Sequence, residues 1–226
     1  MKKYTTLYFD IDNTLLDFYA SETHAVKKVF EKHGLPSDNG TVALYSAINK
    51  SYWEKYEKGI MKRDDILVAR FKETLEKLGA ADNPAAVNAD YFHELSACHF
   101  KMPFAREILE YLKGTGYRIF ATTNGVAKTQ YKRISESGLS EFFDGIFVSE
   151  EVGSQKPSRE YFDFVTANTP EKDKSRILII GDSMTSDIKG GINAGIDTCW
   201  LDAFGEEKLF SPTYTVKELS ELKKIL

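Results

Sequence analysis

YTTLYFDIDNT, residues 4–14, decides how the rest of the chain is read. The apolar run from Tyr4 to Phe9 has the length and composition of a buried strand, and it ends directly on Asp10 and Asp12, followed by Asn13 and Thr14. In a chain that goes on to alternate strands and helices, acids in that place lie at the carboxyl edge of a parallel sheet, where open α/β sheets bind their ligands. Taken alone, the same residues also suit an ordinary turn, because Asp and Asn are turn formers. Two carboxylates two residues apart repel each other unless they are hydrogen-bonded, protonated or metal-bound, so the pairing needs a reason from elsewhere in the sequence.

Downstream of Thr14 the hydrophobic period changes. Ala25, Val26, Val29, Phe30 and His33 recur at helical spacing, and Gly34-Leu-Pro36 stops that helix. Three more helical patterns follow with no strand between them, at about 41–58, 63–78 and 84–100, the last with Asp82 or Asn83 as N-cap and Pro84 in its first turn. From Pro103 onward helices and strands alternate. The pattern predicts helices at 105–113, 126–137, 158–168, 185–194 and 216–226, and strands at 117–122, 145–149, 176–180 and 198–201. This is an α/β chain: a Rossmann-like parallel sheet core with helices on both faces, plus an all-helical cap inserted after the first strand. The expected core is residues 1–17 with 101–226, and the expected cap is residues 18–100.

Composition narrows the function classes. With 34 acidic against 30 Lys and Arg residues, a net charge of −4, the chain has no basic excess to neutralise a nucleic-acid backbone, so no nucleic-acid partner is expected. No long apolar run serves as a signal or membrane segment, and Cys98 and Cys199 stand far apart, so a cytoplasmic protein with reduced thiols and no membrane partner is expected. A monomer or weak homo-oligomer is the expected state. His24, His33, His93 and His99 show no paired ligand spacing and are assigned no metal.

A parallel sheet brings every strand's carboxyl end to one edge, so the residues after each strand form one candidate site. They are Asp10 and Asp12, then Thr123-Asn124-Gly125, then the loop with Lys156-Pro157, then Gly181-Asp182 with Asp187 five residues on. A carboxylate nucleophile, a hydroxyl beside a glycine turn, a cation and further carboxylates suit phosphoryl transfer. Three acids around a dianionic phosphate also call for a hard cation, and Mg²⁺ fits an all-oxygen set.

The motifs FDIDNT (9–14), TTNG (122–125), GSQKPSREYF (153–162) and GDSMTSDIKGGINAG (181–195), in this order, resemble those of the haloacid dehalogenase-like hydrolases, and the helical insert resembles that superfamily's type 1 cap. The resemblance spans the whole chain. It implies that Asp10 attacks phosphorus to form an aspartyl-phosphate, and that Asp12 is the general acid and then base. It implies that Thr123, Asn124 and Gly125 bind the phosphoryl group and that Lys156 offsets negative charge on the nucleophile. It further implies that Mg²⁺ is held by Asp10, the Asp12 backbone carbonyl and Asp182, with Asp187 a ligand or an orienter of metal-bound water. Dehalogenases proper lack the second aspartate, because expelling halide needs no proton donor, so Asp12 favours phosphate chemistry.

Finer likeness points to substrate. Asn49, Lys50, Trp53, Tyr56 and Gly59 in the insert, Ser149 to Gly153, and Gly190 to Gly195 followed by Thr198 to Leu201 most resemble bacterial house-cleaning pyrimidine 5'-nucleotidases. That implies hydrolysis of pyrimidine nucleoside monophosphates. A sugar-phosphate or phosphoglycolate phosphatase, or a phosphomutase with the same aspartates, is the alternative. Asn49, Trp53 and Tyr56 share a helical face and suit an amide and rings presented to a base, although the same stripe also suits the insert's own core.

Overall fold

The computed structural model describes residues 2–226, and the chain divides into two compact units, Met1–Asp17 with Phe100–Leu226, and Phe18–His99. In the first unit, β1 (Thr6–Phe9), β2 (Arg118–Thr123), β3 (Gly145–Val148), β4 (Ile177–Gly181), β5 (Asp197–Leu201) and β6 (Tyr214–Val216) form one sheet in the order β3-β2-β1-β4-β5-β6. All five pairings are parallel, and Phe9 lies in register with both Ala121 and Ile180. From β1 the chain builds outward to β2 and β3 on one side and then to β4, β5 and β6 on the other. The order therefore reverses at β1, and such a switch point opens a crevice at the carboxyl ends of the central strands.

Side chains alternate between the two faces of a strand, and both faces here are covered. Leu7, Phe9, Ile119, Ala121, Leu178 and Ile180 join one core with Ile108, Leu109 and Leu112 of α5 (Ala105–Gly114) and Ile134 of α6 (Ala127–Glu136). Tyr8, Phe120, Ile177 and Ile179 join the opposite core with Tyr161, Phe162 and Val165 of α8 (Arg159–Ala167) and Ala194 of α9 (Lys189–Ala194), while the single-turn α7 (Ser149–Val152) follows β3. Each such large apolar side chain stabilises the fold by about 1.5–3 kcal/mol on full burial. That is why β4 reads as the unbroken run Ile-Leu-Ile-Ile.

The second unit consists of α1 (Phe18–Lys32), α2 (Asn39–Glu57), α3 (Arg63–Leu78) and α4 (Pro84–Ser96) around its own core of Val26, Val29, Phe30, Tyr45, Phe71, Val87, Tyr91 and their neighbours. Its helix starts are chemically marked. Asp38 accepts from Gly40 N at 2.8 Å and Thr41 N at 3.1 Å to open α2, and Asn83, ahead of Pro84, accepts from Ala85 N and Ala86 N to open α4.

The unit also buries a polar chain. Glu22 accepts from Asn49 Nδ2 at 2.6 Å and from Ser46, while Asn49 Oδ1 accepts from Arg70 Nη1 at 2.6 Å. Arg70 also reaches Asn88 and lies over the rings of Phe71 and Tyr91. Asn49 is buried, and its amide is committed inside the unit, which favours the second of the two roles its helical face suits, packing in the insert's own core. Trp53 is half-buried, edge-on to Tyr56 at 5.8 Å between ring centroids.

Two C-terminal details differ from the sequence expectation. The helix predicted over 216–226 is absent: Tyr214–Val216 extends the sheet, Asp202 N donates to Val216 O, and only a 3-10 segment, Leu219–Lys224, follows. Leu219, Leu222 and Ile225 recur every three residues, the spacing that stacks side chains on one edge of a 3-10 turn and here seats them against the core. The helix predicted over 185–194 opens instead as a π turn, Met184–Ile188, before α9.

Candidate active site

The residues expected for catalysis, phosphate binding and metal binding, Asp10, Asp12, Thr123 to Gly125, Lys156, Asp182 and Asp187, follow the strands at the carboxyl edge around β1. Asp10 leaves β1 with its N–H on Ile180 O at 2.9 Å, and the chain then turns sharply, with Leu15 N and Leu16 N both donating to Ile11 O. Asn13 takes φ 59°, a left-handed value that Asn tolerates better than most residues. Thr14 is buried and bridges to the fourth strand: its hydroxyl accepts from Asp182 N at 3.1 Å and lies 3.3 Å from Asp182 Oδ1.

Lys156 is the centre of the site, only 1% exposed. Its ammonium donates to Asp10 Oδ1 at 2.6 Å, Asp187 Oδ1 at 2.7 Å and Thr122 O at 3.0 Å, which uses all three of its protons. Asn124 fixes its backbone from both sides, donating to Lys156 O and accepting from Lys156 N, each at 2.9 Å. Asp187 lies in the π turn Met184–Ile188 and is fully buried, and Ser183 N donates to its second oxygen at 3.2 Å. Gly181 makes room for it: a Cβ at that position would overlap the Asp187 carboxyl group. Trp200 Nε1 donates to Asp182 O at 2.7 Å and so ties the loop after β4 to β5.

A second cluster sits beside the first. Gln130 Nε2 donates to Asp12 Oδ2 at 2.6 Å and to Thr123 Oγ1 at 2.8 Å, Arg133 Nη1 donates to Asp12 Oδ1, and the same guanidinium nitrogen donates to Gln130 Oε1 at 3.2 Å. The Gln130 amide crosses directly over Gly125, where any Cβ would overlap it.

Burial governs the electrostatics. It pushes the Asp10 carboxyl up to about 7, with Lys156 opposing the rise and Asp187 and Asp12 adding to it. Burial, then the charges of Asp10 and Asp187, holds Asp182 well above the usual carboxylate range. For Lys156 burial works against the ammonium, but Asp10 and Asp187 outweigh it and raise its pKa. Three carboxylates, Asp10, Asp182 and Asp187, thus converge with ligand oxygens within 4.8 Å of one another around one ammonium. An all-oxygen, mutually repelling set of this kind fits a hard divalent cation, which relieves the repulsion that burial has built.

A haloacid dehalogenase-like hydrolase family model matches residues 7–201. The chain belongs to that family. It is 41% identical to the HAD-hydrolase YfnB of Bacillus subtilis over 228 residues, covering 100% of this chain and 97% of YfnB. A crystal structure of YfnB bound to magnesium superposes with a TM-score of 0.94, covering 99% of each chain. The chain is 32% identical to the pyrimidine 5'-nucleotidase YjjG of Escherichia coli, covering 99% and 98% of the two chains. It is 31% identical to the pyrimidine 5'-nucleotidase PynA of Streptococcus pneumoniae, covering 97% and 93%.

As a haloacid dehalogenase-like hydrolase the protein is an enzyme, and its motifs meet at one edge of the sheet. Sequence reasoning missed Gln130, Arg133 and the Thr14 bridge. A signal for the first two was available: continuing the inward stripe of α6 back one turn from Ile134 reaches Gln130, and Arg133 adjoins it, so two polar side chains occupy core-facing places. Polar groups buried in that way need partners.

Proposed function

We infer that this hydrolase is a Mg²⁺-dependent phosphomonoesterase that works through an aspartyl-phosphate on Asp10, with pyrimidine nucleoside 5'-monophosphates as its substrates. The observation that carries the reading is the buried ammonium of Lys156 joining Asp10 to Asp187, beside Asp182 and within one turn of Asp12. Asp10, Asp182 and Asp187 would hold the cation, with the Asp12 carbonyl as a further oxygen. Bound Mg²⁺ supplies charge neutralisation to the phosphoryl oxygens.

The chain's own groups do the rest. Lys156 keeps the Asp10 carboxylate oriented and offsets its charge. One Asp10 oxygen forms a bond to phosphorus as the ester P–O bond breaks, and Asp12 gives its proton to the departing alkoxide. Water then attacks phosphorus, Asp12 takes its proton, and the Asp10–phosphorus bond breaks to restore both groups. Thr123 donates its hydroxyl to a phosphoryl oxygen, beside the N–H of Asn124, and the small Gly125 completes that turn. The pyrimidine preference is supported by the names of two relatives that align over nearly all of this chain. A cytoplasmic location is supported by two buried cysteines, Cys98 and Cys199, that are not joined in a disulfide.

The test is phosphate release from dUMP, dTMP, UMP, AMP, phosphoglycolate and glucose phosphates, with Mg²⁺ and with EDTA. Metal-dependent release strongest on the pyrimidine monophosphates is expected. A preference for sugar phosphates or phosphoglycolate would overturn the substrate assignment alone, and no release from any ester would overturn the phosphatase reading.

A further inference from the structure

We propose that Gln130 and Arg133 are positioning residues that lock the acid/base Asp12 and the phosphate-binding Thr123 into one hydrogen-bonded unit. The inference rests on the reading of Asp12 and Thr123 given above. Both residues come from α6, a helix that offers the sheet a face of Thr129, Gln130, Arg133 and Ile134, and both are only 1% exposed.

Proton arithmetic leaves the cluster with one arrangement. Gln130 Nε2 has two protons, one for Asp12 Oδ2 and one for Thr123 Oγ1, while its Oε1 accepts from Arg133. A flipped amide would set its oxygen against the Asp12 carboxylate, so the amide orientation is fixed. Arg133 Nη1 likewise divides its two protons between Asp12 Oδ1 and Gln130 Oε1. Each oxygen of Asp12 is therefore held by a donor anchored on the buried face of α6. A carboxylate held at both ends cannot swing about its Cβ–Cγ bond, and acid/base catalysis requires such fixed geometry.

Thr123 Oγ1 accepts from Gln130 Nε2 and, at 3.1 Å, from Gly125 N. Both of its lone pairs are then engaged, and its single proton is left to be donated to the phosphoryl group. Gly125 belongs to the same device, since only a residue without Cβ lets the Gln130 side chain pass. A purely structural ion pair would not need to couple the proton-transfer group to the phosphate-binding hydroxyl through one amide.

The test uses the full-length enzyme with Mg²⁺ and compares Arg133→Met, Gln130→Met and Asp12→Asn on two substrates. One is an alkyl monophosphate such as dUMP, whose leaving group needs a proton. The other is 2,4-dinitrophenyl phosphate, whose leaving group does not, and which is followed by its burst of nitrophenolate. Arg133→Met is expected to lower kcat on dUMP by about 10–100-fold, part of the 10²–10⁴-fold typical of general acid–base catalysis, while the burst rate stays within about 3-fold of wild type. Gln130→Met, which keeps the charge pair, is expected to show the same selectivity and also to weaken inhibition by inorganic phosphate, because Thr123 loses the partner that aims its proton.

Equal loss on both substrates in both variants, or no loss in either, would overturn the inference while Asp12→Asn remains selective. A non-selective Asp12→Asn would overturn the acid/base reading itself and the inference with it. Gln130→Met decides the matter should Arg133→Met fail to fold.

Discussion

Replacing Lys156 with methionine removes the one ammonium that lies between Asp10 and Asp187 and keeps a side chain of similar length. The lysine side chain is 2% exposed and its two carboxylate partners stand at 2.6 and 2.7 Å, so solvent screening takes little from the interaction. Breaking a buried ion pair by removing one partner costs about 3–5 kcal/mol, because a buried charge is left uncompensated. The orphaned Thr122 carbonyl, which accepts from the same ammonium, adds to the loss. For a chain of this length each kcal/mol moves the melting temperature by about 2–4 °C, so the metal-free variant should melt roughly 6–20 °C below wild type.

The assay must report on the α/β unit alone. Trp53 and Trp200 are the two tryptophans, and only Trp200 lies in that unit, so Trp200 fluorescence in a Trp53→Phe background follows the right transition in EDTA. Mg²⁺ should raise the melting temperature of the variant more than that of wild type, since a cation among three carboxylates replaces part of the missing charge. A Lys156→Met protein as stable as wild type in EDTA would refute the claim that this ammonium balances the buried carboxylates. Mg²⁺ that shifts neither protein would refute the metal assignment.

Two further predictions concern the helical unit. His33 places its two ring nitrogens 2.6 Å from Asp82 and 2.9 Å from Asp90, whose other oxygen meets Lys32. Burial disfavours the charged ring, but the two carboxylates outweigh it and raise the His33 pKa above its ordinary 6.5, so its contribution is complete below pH 6.5 and lost as pH rises through the higher folded value. Thermal unfolding followed by circular dichroism should therefore weaken above about pH 6.5 in wild type, and His33→Gln should remove that slope; an unchanged slope would show that the clasp does not hold an imidazolium. Asn49→Leu should destabilise the unit by about 2–4 kcal/mol in urea unfolding, because Glu22 and Arg70 each lose a buried partner. Unchanged stability with a raised KM would instead show that the amide reads substrate.

The fold was largely legible because its signals are local. A run such as Ile177–Ile180, short, mostly β-branched and bounded by turn residues, reads as a strand covered on both faces, and the acids after β1 and β4 fall at the edge where open α/β sheets bind ligands. The sixth strand was not legible, since Tyr214–Val216 is three residues long and borrows its pairing from β5, a contact no local pattern contains. The site was legible as a set of motifs but not as a network. Asn124 reads as a turn residue, and only the folded chain brings its amide to both backbone groups of Lys156, 32 residues away. Gln130 and Arg133 resemble ordinary polar helix residues until the sheet buries them. Asn49 is the converse case: its place on an aromatic helix face was visible, but its partners Glu22 and Arg70 come from two other helices.

The proposed mechanism turns on phosphorylation of Asp10. Asp12→Asn enzyme mixed with 2,4-dinitrophenyl phosphate and Mg²⁺, quenched in acid, digested and fragmented by mass spectrometry reads this directly. One phosphoryl group is expected on Asp10 in the peptide that begins at Tyr4, and none after the same treatment of Asp10→Asn. A turning-over enzyme with no phosphoryl group on that peptide, or with one on another residue, would contradict it.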